Sequence, residues 1–215
     1  MINILVVDDH ALIRKGLKML LEDDPDFHIA GEAETGLQAI NMVREQHFDL
    51  VLLDISLSDK HGIDVLKQIK SEQPDVKIIV LSMYPEEQYG VRALKAGAMG
   101  YINKQSAPEK LVGAIQQVIS GKKYISAPLA EQLLSNLIGE SQEMMHQNLS
   151  NREYQTLCLM ASGKSLTEIS EIMVLSPKTV SVYRARMLEK MNFKNNAEAV
   201  HYAIAHDLVD NKQMK

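Results

Sequence analysis

Three aspartates, one serine and one lysine are the residues of this 215-residue chain whose types and positions suggest a single piece of chemistry. Asp8 and Asp9 follow the apolar run Ile4–Val7, and Asp54 closes the run Leu50–Leu53. Ser82 follows Ile78–Leu81, and Lys104 comes just after Met99-Gly100-Tyr101-Ile102. Carboxylates brought together raise one another's pKa unless a cation neutralises them. Hard oxygen ligands of this kind suit Mg²⁺, which keeps several waters and leaves room for a phosphoryl group. A hydroxyl and an ammonium at the same edge, Ser82 and Lys104, would each contact an anion bound at Asp54. Any one of these aspartates read alone is better explained as a turn or helix-cap residue, and a lone Lys104 as a solvated charge. The five together favour a site.

That convergence requires a particular frame. The runs at Ile4, Leu50 and Ile78 are continuously apolar, as strands covered on both faces must be, and His28–Gly31 and Met99–Ile102 are weaker strand candidates. Between them Ile13, Leu17, Leu20 and Leu21 recur at helical spacing, as do Ile63, Leu66 and Ile69. Ser106-Ala107-Pro108-Glu109 has the form of a capping box, with Leu111, Ile115 and Val118 as the apolar stripe behind it and Gly121 as terminator. Alternating strands and helices predict an α/β fold, a doubly wound five-stranded parallel sheet with helices on both faces. In the order 2-1-3-4-5 the first and third strands flank the point where strand order reverses, which is where ligands bind such sheets. A dinucleotide site would need glycines after the first strand. Asp8-Asp9-His10 stands there instead, and His10 is read as capping or packing the next helix.

A second domain follows. Residues 127–138 read as a short helix, Gly139–Asn148 as a linker, with Met144 and Met145 read as linker rather than as a partner patch, and the remainder as four short helices. Ser150, Ser165 and Ser176 start three of them, with Pro177 at a first helical position, and Asn195 or Asn196 starts the last. The expected division is 1–121, a linker with a short helix over 122–148, and an all-α four-helix domain over 149–215. The net charge of −5 would discourage a nucleic-acid reading, but Lys178, Arg184, Arg186, Lys190 and Lys194 stand within Ser176–Lys194 against one Glu. Local potential governs binding to phosphates, and a cationic helix behind the turn Leu175-Ser176-Pro177 has the form of a helix-turn-helix recognition element. Cys158, the single cysteine, is read as core packing, and Glu153 as a helix-dipole residue. With no disulfide, no run of roughly 20 apolar residues and no signal peptide, the expectation is a cytoplasmic protein without membrane contact.

Residues 1–121 resemble a CheY-like receiver domain, carrying ILVVDDH, VLLDI, IIVLS and GYINK in order, and the segment from Leu149 resembles a LuxR-type effector domain. The whole is similar to the NarL/FixJ family of two-component response regulators. The resemblance implies that a sensor histidine kinase phosphorylates Asp54. It implies Mg²⁺ held by Asp9, Asp54 and the Ser56 carbonyl, with Asp8 acting through a metal-bound water. Ser82 and Lys104 would contact the phosphoryl group, and Tyr101 would fill space that Ser82 vacates; its other reading is a half-buried strand aromatic. Ser181, Val182 and Ala185 would approach base edges. Lys178, Thr179, Tyr183, Arg184, Arg186 and Lys190 would contact phosphates or bases, with Arg186 and Lys190 following one phosphate strand from a shared helix face. The implied partners are the kinase, promoter half-sites of double-stranded DNA, a second copy of the chain on phosphorylation, and RNA polymerase. The implied activity is regulatory rather than enzymatic. A DNA-binding protein with a silent pocket is the alternative, as is an aspartyl-phosphate phosphatase, which would need an acid where Ser56 stands. The sequence departs from the receiver pattern at Leu57-Ser58 and at Gln105, which puts loop geometry in question.

Overall fold

The computed structural model describes residues 1–137, 144–206, 208 and 209, and the chain divides into two compact units, Met1–Leu133 and Leu134–Lys215. The first unit is built on five parallel strands, β1 (Ile2–Val7), β2 (Phe27–Ala33), β3 (Leu50–Asp54), β4 (Lys77–Ser82) and β5 (Gly100–Asn103). Their spatial order is β2-β1-β3-β4-β5, as expected. Every residue of β3 is buried, because helices cover both faces of the sheet. These are α1 (Ala11–Glu22), α2 (Gly36–Glu45), α3 (Gly62–Glu72), α4 (Glu86–Lys95) and α5 (Ala107–Ile119). On one face, Leu17 and Leu21 of α1 and Leu111, Ile115 and Val118 of α5 pack on Ile4, Val6, Leu50 and Leu52.

The start of α5 differs from the capping box read in the sequence. A 3-10 turn, Lys104–Ser106, precedes the helix, and Asn103 caps that turn by accepting from the Gln105 N–H at 2.9 Å. Ser106 makes no side-chain cap; its hydroxyl donates to the Asn103 carbonyl. Gly121 ends the helix with φ of 89°, a left-handed conformation suited to glycine.

Helix α6 (Ala127–Leu137) begins against the first unit. Leu129 is 1% exposed, and a Cβ added to Gly90 of α4 would lie 2.7 Å from its Cδ1. The Ser126 hydroxyl donates to Glu86, and the Gln132 amide donates to the Glu87 carbonyl. Residues 138–143 of the expected linker, and 207 and 210–215 at the far end, lie outside the described residues.

The second unit contains α7 (Asn151–Ala161), α8 (Leu166–Ile172), α9 (Pro177–Lys190) and α10 (Asn196–Ala205). Ser150 and Ser165 open complete capping boxes with Glu153 and Glu168, Ser176 caps α9 and Asn195 caps α10. Cys158 is buried among core residues of α7, as read. Val174, between α8 and α9, has φ of 52°, an uncommon conformation for a β-branched residue that makes this the strained point of the tight turn.

Candidate functional site

The carboxyl ends of β1, β3, β4 and β5 bring together the five residues singled out in the sequence. Lys104 Nζ lies 2.6 Å from Asp8 Oδ2 and 2.8 Å from Asp54 Oδ2, so one ammonium bridges two carboxylates. Asp8, Asp54 and Ser82 are all but inaccessible to solvent, while Asp9 is half-buried at the rim. Asp54 Oδ1 accepts the Ser56 N–H at 3.1 Å. Burial pushes the Asp54 carboxyl above its usual range; Lys104 opposes this, and Asp8 adds to it. Burial also works against the charged Lys104, but Asp54 and Asp8 outweigh it and hold the ammonium above its usual value. The two directions agree physically, since two anions share one cation.

One oxygen from each aspartate, Asp8 Oδ2, Asp9 Oδ1 and Asp54 Oδ2, is buried in this pocket. Asp8 Oδ2 and Asp54 Oδ2 pair with the Lys104 ammonium, and Asp9 Oδ1 lies 2.7 Å from His10 Nδ1. Potential ligand atoms of Asp8, Asp9, His10 and Asp54 all lie within 4.8 Å of one another. A cluster of buried carboxylate oxygens, two of them sharing a single ammonium, is compatible with Mg²⁺. His10 occupies the N-cap position of α1, but its side chain caps nothing; its backbone N–H donates to Asp8 Oδ1, and the ring faces the two aspartates.

Tyr101 is 1% exposed, and its hydroxyl donates to the Tyr84 carbonyl in the β4–α4 loop at 2.8 Å. Burial pushes its phenol well above the usual range, while a hydrogen bond with Ser82 opposes the shift. It is therefore a wholly buried strand aromatic tied to the loop that Ser82 begins. The Ser82 hydroxyl itself accepts the Tyr84 N–H.

Several positioning groups carried no legible signal. Arg14 of α1 donates to the Asp8 carbonyl at 2.8 Å. Asp59, in the loop that departs from the receiver pattern, accepts the first two N–H groups of α2, Gly36 and Leu37, at 2.8 and 2.9 Å. Burial alone would raise the Asp59 carboxyl, but these backbone donors hold it below the usual range. His61 Nδ1 accepts the Ile63 N–H and caps α3. Gly62 packs against the end of β3: a Cβ there would come 2.1 Å from the Asp54 carbonyl oxygen.

On the second unit, Lys178, Val182, Ala185, Arg186 and Lys190 are exposed along α9, and Thr179, Ser181, Tyr183 and Arg184 are half-buried. Val182 is an exposed apolar side chain at the middle of this face. Thr179 is engaged by the Ser176 hydroxyl, and Arg184 Nη1 donates to Asn196 Oδ1 at 3.4 Å. Lys190 Nζ lies 2.7 Å from Glu153 Oε2, and Glu153 is 3% exposed. Burial would raise the Glu153 carboxyl, but Lys190 and the Ser150 donors hold it low. Lys190 thus serves a buried carboxylate of α7, which the helix-dipole reading of Glu153 did not foresee.

Residues 4–116 match the family described as the response regulator receiver domain, and residues 147–203 match bacterial regulatory proteins of the luxR family. Among curated relatives, response regulator UvrY of Escherichia coli (strain K12) is 40% identical over 97% of this chain and 96% of its own. Response regulator GacA of Pseudomonas aeruginosa is 35% identical over 98% of this chain and 99% of its own. Among solved structures, RcsB from Salmonella enterica serovar Typhimurium, bound to a promoter in the presence of the phosphomimetic BeF3−, is 26% identical. The likeness covers 95% of this chain and 98% of that one, with a TM-score of 0.63.

Proposed function

Because the chain belongs to the NarL/FixJ family of response regulators, with a receiver domain and a LuxR-type DNA-binding domain, we propose that Asp54 is its phosphorylation site and that phosphorylation drives dimerisation and promoter binding. The chain is a DNA-binding transcription regulator, not an enzyme. One observation carries the choice of Asp54: it is the buried carboxylate that shares Lys104 with Asp8 at the edge where the sheet order reverses.

A carboxylate oxygen of Asp54 attacks phosphorus. The P–N bond to the donor phosphohistidine of a sensor kinase breaks, and the imidazole leaves with the electron pair. Asp9, Asp54 and the Ser56 carbonyl would hold Mg²⁺ directly, with Asp8 acting through a bound water; when bound, the metal offsets charge on the phosphoryl oxygens. Lys104 exchanges its contact with Asp54 Oδ2 for the phosphoryl group, and Ser82 turns its hydroxyl toward it. That movement takes Ser82 away from the Tyr84 N–H, and Tyr101, bonded to the Tyr84 carbonyl, follows the loop into the vacated space.

A helix-turn-helix monomer covers too little DNA for high specificity, and dimers on paired half-sites remedy this. Beryllofluoride with Mg²⁺ is therefore expected to raise both self-association and affinity for promoter duplex. Sedimentation and duplex titration on the same sample measure the two. Identical sedimentation with and without the mimic counts against the reading. RNA polymerase is the partner through which a bound dimer would act, and the cytoplasm the place where it would act.

The recognition helix would present Ser181, Val182 and Ala185 to base edges, and Lys178, Thr179, Tyr183, Arg184 and Arg186 to phosphates and base edges. Lys190 and Arg186 separate in their expected effects. Arg186→Ala removes an exposed cation, so it weakens all duplexes alike and lowers the salt slope by about one unit. Lys190→Ala leaves the buried Glu153 carboxylate with its Ser150 donors but no cation, and destabilises the second unit by about 1–2 kcal/mol, with little change in slope. Binding over a salt series beside thermal melting distinguishes them. A reduced slope with unchanged melting for Lys190→Ala would return it to the phosphate-contacting set.

A further inference from the structure

We propose that Arg14 is a positioning residue of the acidic pocket, fixing the backbone carbonyl of Asp8 and so the direction in which the Asp8 and Asp9 carboxylates hang. The inference rests on the Mg²⁺ reading of that pocket.

Arg14 is 8% exposed, an unusual burial for a guanidinium. Its Nη1 donates to the Asp8 carbonyl at 2.8 Å, its Nε to Glu32 at 3.1 Å and its Nη2 to Glu34 at 2.6 Å. Glu32 is on β2 and Glu34 just beyond it, so one side chain of α1 joins the ends of β1 and β2. The Asp8 N–H is already held by the Ala33 carbonyl at 3.1 Å. Asp8 is therefore fixed on both sides of its backbone, from the next strand and from Arg14. Asp9 follows the carbonyl that Arg14 holds, so a rotation of that peptide would redirect both carboxylates.

The charge of Arg14 points the other way. A cation beside a metal site repels the metal, and here Glu32 and Glu34 absorb much of that charge. If Arg14 acted only through charge, its removal would strengthen Mg²⁺ binding. If it acts by position, its removal weakens binding, and a lysine, which keeps the charge but lacks the planar fork, restores it only in part. Groups that orient metal ligands from behind typically contribute on the order of 10-fold or more to affinity.

Calorimetric titration of the full-length protein with MgCl₂, beside melting in metal-free buffer, tests this. The expectation is an Mg²⁺ dissociation constant about tenfold weaker for Arg14→Met and about threefold weaker for Arg14→Lys, measured well below the melting midpoint of each. Equal or tighter binding by Arg14→Met overturns the proposal. So does full recovery by Arg14→Lys, which would show that the planar fork joining Asp8, Glu32 and Glu34 is not needed. Should Arg14→Met fail to fold, Arg14→Lys decides alone, since wild-type affinity in that variant is incompatible with positioning. Absence of Mg²⁺ binding by the wild-type chain would instead remove the pocket reading on which the inference stands.

Discussion

Asp54→Asn is expected to abolish labelling by a phosphorylated kinase or by acetyl phosphate, and at the same time to raise the melting temperature of the metal-free protein. The first effect follows from chemistry, since the amide keeps the shape and loses the nucleophile. The second follows from the pocket's electrostatics. Asp54 is buried beside Asp8, and its carboxyl is held above the usual range by that burial. The folded protein therefore binds this proton more tightly than the unfolded chain does, and keeping Asp54 ionised costs folding free energy. Below the unfolded carboxyl value of about 3.9 the cost is absent. It grows as pH rises from there toward the elevated folded value and is complete above it. Asparagine removes it, while Lys104 keeps Asp8 as a partner at 2.6 Å. The stability difference between variant and wild type should open with rising pH, and Mg²⁺ should narrow it by stabilising only the wild type. Label persisting on Asp54→Asn would place the phosphorylation site elsewhere. A variant less stable than wild type at pH 7 would show that burial is not the dominant influence on this carboxyl.

The sheet and the polar residues gathered at its edge were legible because both leave local signatures. Leu50–Leu53 is a run without polar interruption because helices cover both its faces, and the polar residue that ends it must lie at the sheet edge. Four such run-ends define a pocket once the strand order is known. The second unit's helices were legible for a related reason, since Ser150, Ser165, Ser176 and Asn195 each cap a helix within three residues of themselves. The groups that hold the pocket in place have no such signature. Arg14 meets Glu32 and Glu34, 18 and 20 positions away, and nothing in the periodicity of α1 distinguishes it from a solvated arginine. Lys190 shares a face with Arg186 by spacing, but spacing does not show that Glu153, 37 positions earlier, will meet it. The Ser106 capping box failed for a different reason: a 3-10 turn changed which residue caps, and the motif cannot foresee that.

The loop Leu57–Gly62 shows how a departure from a family pattern is accommodated. Asp59 reaches out of the β3–α3 loop to satisfy two N–H groups at the start of α2, groups that every helix N-terminus leaves open. His61 caps α3. The loop is thereby held at Asp59 and at His61, close to Asp54, without the residues the family more often uses there.

Gly62→Ala is expected to be the most destabilising single-methyl addition at the pocket. The Gly62 N–H donates to the Ile55 carbonyl at 2.8 Å, drawing the start of α3 onto the end of β3. A Cβ would lie 2.1 Å from the Asp54 carbonyl oxygen and 2.6 Å from the Ile55 Cα. Both are backbone atoms of a buried strand end, so no side chain can rotate away to relieve the clash. Gly90 offers a contrast: its nearest neighbour is the tip of Leu129 at 2.7 Å, which has rotamers to spend. Forcing atoms into a packed core typically costs about 1–3 kcal/mol, and a clash with main chain belongs at or above the top of that range. Either α3 moves off the strand or the Asp54 peptide turns, and the second outcome misdirects the nucleophile itself. The expected result is a fall on the order of 10 °C in the melting of the first unit, with labelling at Asp54 slowed even at temperatures where the variant is folded. The second unit's transition should stay in place, so differential scanning calorimetry of the full chain resolves the effect. Unchanged melting and normal labelling would mean that the β3–α3 junction yields more readily than its close backbone packing implies.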